Sequence, residues 1–159
     1  MKPNRWLTQV AFACLAISPL AHAALGGSAQ SVQADQASMG ASRTAANQAL
    51  NAVQGNYSVQ SMTLPSGTVV HEYLSNTGIV FAVTWLGSAM PDLHQILGAY
   101  TSGATDAIQA YRAQHPGIGP VSVTANNMVI QASGHMGVYA GRAYLPSALP
   151  AGVALNEIQ

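Results

Sequence analysis

The sequence predicts an α+β domain, an antiparallel sheet of two three-stranded meanders curled around one main helix, with weak helices on its N-terminal side. Three observations carry this expectation. Residues 57–86 read with period two between turn residues, residues 93–111 carry apolar side chains at helical spacing, and the strand pattern returns over 121–145. Strands, then a helix, then strands again is the order of an antiparallel sheet packed on one helical layer.

The elements follow in chain order. Residues 24–56 are rich in Ala, Ser, Gln and Gly, contain no aromatic side chain before Tyr57, and read as a weakly helical segment ahead of a domain over 57–159. Val32, Gln36 and Met39 form a thin stripe at helical spacing, Ser28 is a candidate cap, and Gly40 ends the helix. A second weak helix is expected over 42–53, and with so little apolar surface both are expected to dock loosely. Residues 57–64 form the first strand, Pro65-Ser66-Gly67 the turn, and 68–74 the second strand. Within that strand Val69, His71 and Tyr73 share one face while Val70, Glu72 and Leu74 share the other. After the turn at residues 75–78, residues 79–86 are the most apolar stretch and read as a central strand.

Gly87 and Pro91 break the pattern, and Asp92 stands where a helix N-terminus favours an acid. Leu93, Ile96, Leu97, Tyr100, Ala104, Ile108 and Tyr111 then recur on one helical face. Residues 115–120, with two prolines and two glycines, cannot continue a helix. Residues 121–125, 128–132 and 137–145 complete the second meander, with turns at Asn126-Asn127 and Ser133-Gly134, and the tail from Pro146 is expected to wrap the surface.

The N-terminus reads as an export signal. Lys2 and Arg5 precede an apolar run over 6–20, and Ala21-His22-Ala23 offers small side chains at the two positions a signal peptidase must accept. The run is shorter than the roughly 20 residues that span a bilayer. Cleavage is therefore expected after Ala23, delivering a periplasmic or secreted protein with no transmembrane anchor. Cys14, the only cysteine, would leave with residues 1–23, so the mature chain would hold no thiol and no disulfide.

The mature chain would keep Arg43, Arg112 and Arg142, no lysine and five acids, for a formal charge of −2. So few cations offer no stripe for phosphate, which argues against nucleic acid as a partner. The chain carries no G-x-S-x-G elbow, no lysine for a Schiff base, and no Walker or dinucleotide fingerprint. No catalytic residue and no cofactor is assigned. His94, His115, His135, Met90 and Met136 suit copper in kind, yet none has ligand spacing, so no metal site is assigned either.

Four residues remain as candidate ligand contacts: His71, His135, Arg142 and Tyr144. His71 and Glu72 are adjacent but face opposite ways on a strand, which suggests a half-buried histidine beside a solvated glutamate. Arg142 lies in Gly141-Arg142-Ala143-Tyr144, close after Gly134-His135-Met136. In so uncharged a chain it either pairs with a carboxylate such as Glu72 or Asp92 and pins a strand, or holds an anionic ligand.

The chain resembles domain-of-unknown-function family 2844, a group of small exported proteins of Gram-negative bacteria. The matching pieces are ALGGSAQSV at 24–32, LPSGTVVHEYLSNTGIVFAVTW at 64–85, PDLHQILGAY at 91–100, SGHMGVYAGRAYLP at 133–146 and LPAGV at 149–153. The resemblance spans nearly the whole mature chain in the same order and is weakest over 45–54. It implies export and supplies no catalytic residues. The functional expectation is therefore a non-catalytic accessory protein that contacts another envelope or exported protein. A small-ligand binder with a pocket between the sheet and helix 93–111 ranks second, and an enzyme using His71, His135 and Arg142 ranks last.

Overall fold

The strand and turn residues assemble one antiparallel sheet. The computed structural model of the protein describes residues 25–43 and 55–159; the expected signal over 1–23 lies outside them. The strands are β1 (Ser42–Arg43), β2 (Tyr57–Thr63), β3 (Val69–Ser75), β4 (Val80–Gly87), β5 (Val121–Ala125), β6 (Met128–His135) and β7 (Val138–Tyr144), in the order β1-β2-β3-β4-β7-β6-β5. The two expected meanders, β2-β3-β4 and β5-β6-β7, are thus joined through β4 and β7. Each tight turn has a local cause. Asn126 and Asn127 both take positive φ, 48° and 59°, as the two-residue β5–β6 turn requires.

The connection from β4 carries the chain to the far edge of the sheet. It comprises α2 (Leu93–Leu97), a single 3-10 turn (Gly98–Tyr100) and α3 (Thr101–Gln114). Asp92 caps α2 by accepting from the His94 amide at 2.8 Å. Gly98 at φ 51° interrupts the expected continuous helix. Ile96, Leu97 and Ala104 are buried against Met62, Val70, Val83, Trp85, Met128, Ile130 and Ala143, so the principal core fills the space between helix and sheet. Each such large aliphatic side chain contributes about 1.5–3 kcal/mol on burial.

The N-terminal segment differs from expectation. Leu25, ahead of α1 (Ala29–Ser38), and Val32 within it are buried in the principal core. Backbone bonds from Gly26 to Val80 and from Val80 to Gly27 fasten its start, and Gln95 Nε2 donates to Ser38 Oγ. Two deeply placed side chains plus backbone pairing suffice where overall apolarity is low. The second helix expected over 42–53 is corrected at its start, where Ser42 and Arg43 pair with β2 as a strand; residues 44–54 lie outside the described residues.

On the other face, Val59, Tyr73, Phe81, Ala82, Tyr144 and Ile158 form a second cluster beneath the tail. A register shift between Tyr73 and Leu74 lets the consecutive Phe81 and Ala82 both join it. The tail runs from Leu145, whose amide donates to Phe81 at 2.9 Å, through two 3-10 turns to Gln159. Tyr57 Oη donates to Glu157 at 3.2 Å and Tyr73 Oη to the Gln159 main-chain oxygen at 2.7 Å. Burial and the Glu157 carboxylate push the Tyr57 phenol above its usual range.

Gly141 lies in the ladder that joins the two meanders. It pairs with Trp85 across β4 and β7, and a Cβ there would lie 2.2 Å from Trp85 Cζ2. Gly141→Ala is therefore expected to cost about 1–3 kcal/mol through overpacking. Urea unfolding checks this, and an unchanged midpoint would mean that the indole does not lie against residue 141.

Candidate functional site

Antiparallel pairing places directly opposed residues on the same face. The register therefore lines up Ser61, His71, Thr84, Arg142, Gln131 and Ser122 across six strands, from β2 to β5. Five strand spacings make this polar row about 24 Å long. It runs along the sheet face opposite the helix, next to the apolar cluster under the tail. Ser61 Oγ and His71 Nδ1 share a 2.6 Å hydrogen bond. Arg142 Nε donates to Gln131 Oε1 at 2.7 Å, and Gln131 Nε2 donates to Ser122 Oγ at 3.2 Å.

A cavity of about 840 Å³ opens over this row. Three-residue stretches of four strands line it: 84–86, 140–142, 131–133 and the start of β5 with Pro120. In the stretches of β4, β7 and β6 the outer residues face the cavity and the middle one faces the helix layer, so Trp85, Gly141 and Ala132 contribute backbone. His71, Tyr111, Ile158 and Gln159 complete the lining. Of the expected helix 93–111, Tyr111 reaches the cavity wall, and the rest of the described wall comes from the sheet and the tail. Ile96, Leu97 and Trp85 pack in the layer between helix and sheet.

Among the described residues, Arg142 is the only formally charged side chain that lines the cavity. Its Nη1 donates to the Leu155 carbonyl at 2.7 Å and the Ile158 carbonyl at 3.3 Å. Its guanidinium carbon lies 6.0 Å from the centre of the Tyr144 ring. Neither expected carboxylate reaches it: Glu72 is buried and engaged on the opposite face, and Asp92 caps α2. The solvated environment expected for Glu72 is corrected by the same register, which points it into the helix layer. The Gln131, Leu155 and Ile158 oxygens take the Nε and Nη1 hydrogens of Arg142 without neutralising its charge.

His71 and Arg142 thus meet at one cavity, on either side of Thr84. Tyr144 supports Arg142 from the apolar cluster. His135 stands apart, exposed near the β6–β7 turn, and lines a neighbouring recess of about 300 Å³ with Ile118 and Val138. The three residues of the enzyme reading therefore do not converge. Sequence reasoning missed Ser61, Thr84, Ser122 and Gln131. Each is one polar residue inside a strand, and only the cross-strand register shows that they align.

Two of these groups have measurable consequences. Burial lowers the pKa of His71 below its ordinary value of 6.5. Between the lowered value and 6.5 the unfolded chain binds more protons than the folded one, so stability is complete above that window and falls as pH drops through it. His71→Gln is expected to flatten urea-unfolding stability over that window; an unaltered pH profile would assign the dependence elsewhere. Thr84 is 4 % exposed, and its Oγ1 has no hydrogen-bond partner among the described residues. Thr84→Val removes a desolvated hydroxyl and is expected to leave stability unchanged or raise it by up to about 1 kcal/mol. A loss of similar size in urea unfolding would show that the hydroxyl is bonded.

No helix of the described residues is long and apolar enough to cross a membrane. No curated protein and no solved structure matches the chain. The profile of one family, described as protein of unknown function (DUF2844), matches residues 21–158. By that match, and in agreement with the resemblance read from its motifs, the chain belongs to the DUF2844 family.

Proposed function

We propose that this is an exported, non-catalytic protein that binds a small anionic ligand in the cavity beneath its C-terminal tail. The observation that carries this reading is Arg142, the sole charged side chain among the described residues that line a cavity of about 840 Å³. Ligand cavities in proteins are of this size, with mostly apolar walls and a few polar groups that fix orientation. Burial favours the neutral form of His71, so the imidazole can serve as donor or acceptor while the guanidinium supplies the charge. Export is supported by the basic start, the apolar run and Ala21-His22-Ala23. The accessory role ranked first from sequence gives way to ligand binding because the cavity joins two of the four candidate residues. Ser61, the hydroxyl bonded to His71, is not among the described lining residues, and no acidic side chain among them orients that imidazole, which favours binding over turnover.

Native mass spectrometry of protein recovered from the periplasm of the producing bacterium tests the reading. The chain is expected to begin at Ala24 and to carry an added mass that is lost on denaturation. Arg142→Gln is expected to weaken retention of that mass about 10- to 100-fold, the weight of a charge-assisted hydrogen bond. A chain that is bare in both forms, and whose melting temperature no monoanion shifts, would overturn ligand binding.

A further inference from the structure

Resting on the ligand-binding reading, we propose that the ligand is a single-chain amphiphile with a carboxylate head, bound head-first at Arg142 with its chain along an adjoining apolar shelf. The shelf begins where the polar row ends. Leu86 pairs with Ala140 one step beyond the Thr84–Arg142 pair on the same face, and Val138 follows on β7. Leu86 is 59 % exposed, Val138 45 % and Ile118 86 %. Single apolar side chains at a surface are ordinary. These are contiguous with the cavity, because the recess beside Ile118 and Val138 shares Pro120, Ser133 and Ala140 with it. One trough therefore leads from a cation to an open apolar surface. From Arg142 to Val138 it covers four residues of extended strand, about 13 Å, which suits a chain of medium length.

The charge balance selects the head group. Among the described side chains that line the cavity, one guanidinium stands without an acid, and it matches one negative charge. A dianionic phosphate would bring a second charge without a partner, at a desolvation cost. Nε and Nη1 of Arg142 are engaged, and Nη2 makes no hydrogen bond among the described residues, so it is the nitrogen from which a carboxylate accepts. The apolar chain then covers Leu86 and Val138, which the fold leaves in water.

The test is titration calorimetry on the processed full-length protein with decanoate below its micelle concentration, and with octanoate, decanol and acetate for comparison. Decanoate is expected to bind about tenfold more tightly than octanoate, in proportion to the apolar surface each covers. Decanol, without the charge, is expected to bind at least tenfold more weakly than decanoate. Leu86→Asp, at an exposed position that leaves the core intact, is expected to weaken decanoate more than tenfold and acetate by less, because the new carboxylate repels both anions while only decanoate also loses its apolar contact. Arg142→Gln is expected to bring decanoate down to the level of decanol; the far-ultraviolet spectra of both variants establish that they fold. Acetate binding as tightly as decanoate, or indifference to Leu86→Asp, would overturn the amphiphile and leave the small-anion reading standing. An apolar tripeptide with a free C-terminus that out-competes decanoate would replace the amphiphile with a peptide. No binding of any anion would overturn both readings.

Discussion

The pairing of β4 with β7 is the constraint on which the rest depends. Within each meander, neighbouring strands are neighbours in sequence, and tight turns fix their registers. Only the β4–β7 ladder joins the halves, opposing Thr84 to Arg142 and Trp85 to Gly141. The absence of a side chain at Gly141 lets the Trp85 indole lie against the strand on the helix side. That placement fills the layer beneath α2 and α3 with Trp85, Ile96 and Leu97. It also obliges the open volume to lie on the other face. A shift of one residue in this ladder would turn Arg142 into the apolar layer and expose Ala143 in its place.

The same ladder aligns two short polar rows into one. His71 and Thr84 belong to the first meander, and Arg142, Gln131 and Ser122 to the second. Their union puts a cation and an imidazole on either side of Thr84, on a sheet face whose other half is apolar and covered. The tail supplies that cover. Ile158 packs on Tyr73 and Tyr144, while the Leu155 and Ile158 carbonyls take hydrogens from Arg142. One side chain thus ties the tail to the sheet and also presents charge to the cavity.

Scarcity of charge explains how the cations are held. Arg112 donates to the Gly117 and Gly119 carbonyls at 2.9 and 2.6 Å and staples the loop after α3. Arg142 is held in the same way by the tail. Carbonyls serve where acids are few, and they complete the hydrogen-bonding geometry without compensating the charge. An arginine paired with a carboxylate would be spent on stability. One held by carbonyls keeps its field, and of these two arginines it is Arg142 that lines the cavity.

What the sequence by itself determined was local. Period two over 57–86 and 121–145 specified six strands, and the helical spacing from Leu93 specified the main helix, since side-chain direction follows from backbone repeat. Pro65-Ser66-Gly67 and Asn126-Asn127 marked turns because those residues accept the required dihedrals. Arg142 and His71 stood out because charge and imidazole are rare in this chain. The tertiary structure decided everything that depends on residues distant in sequence. Whether Arg142 met Glu72, which face of the sheet stayed open, and that Ser61, Thr84, Gln131 and Ser122 align with it all follow from inter-strand register. The burial of Val32 and the hold of the tail on Arg142 are likewise contacts between segments far apart in the chain. Register is set by the summed packing of both faces at once, and no single segment carries that sum.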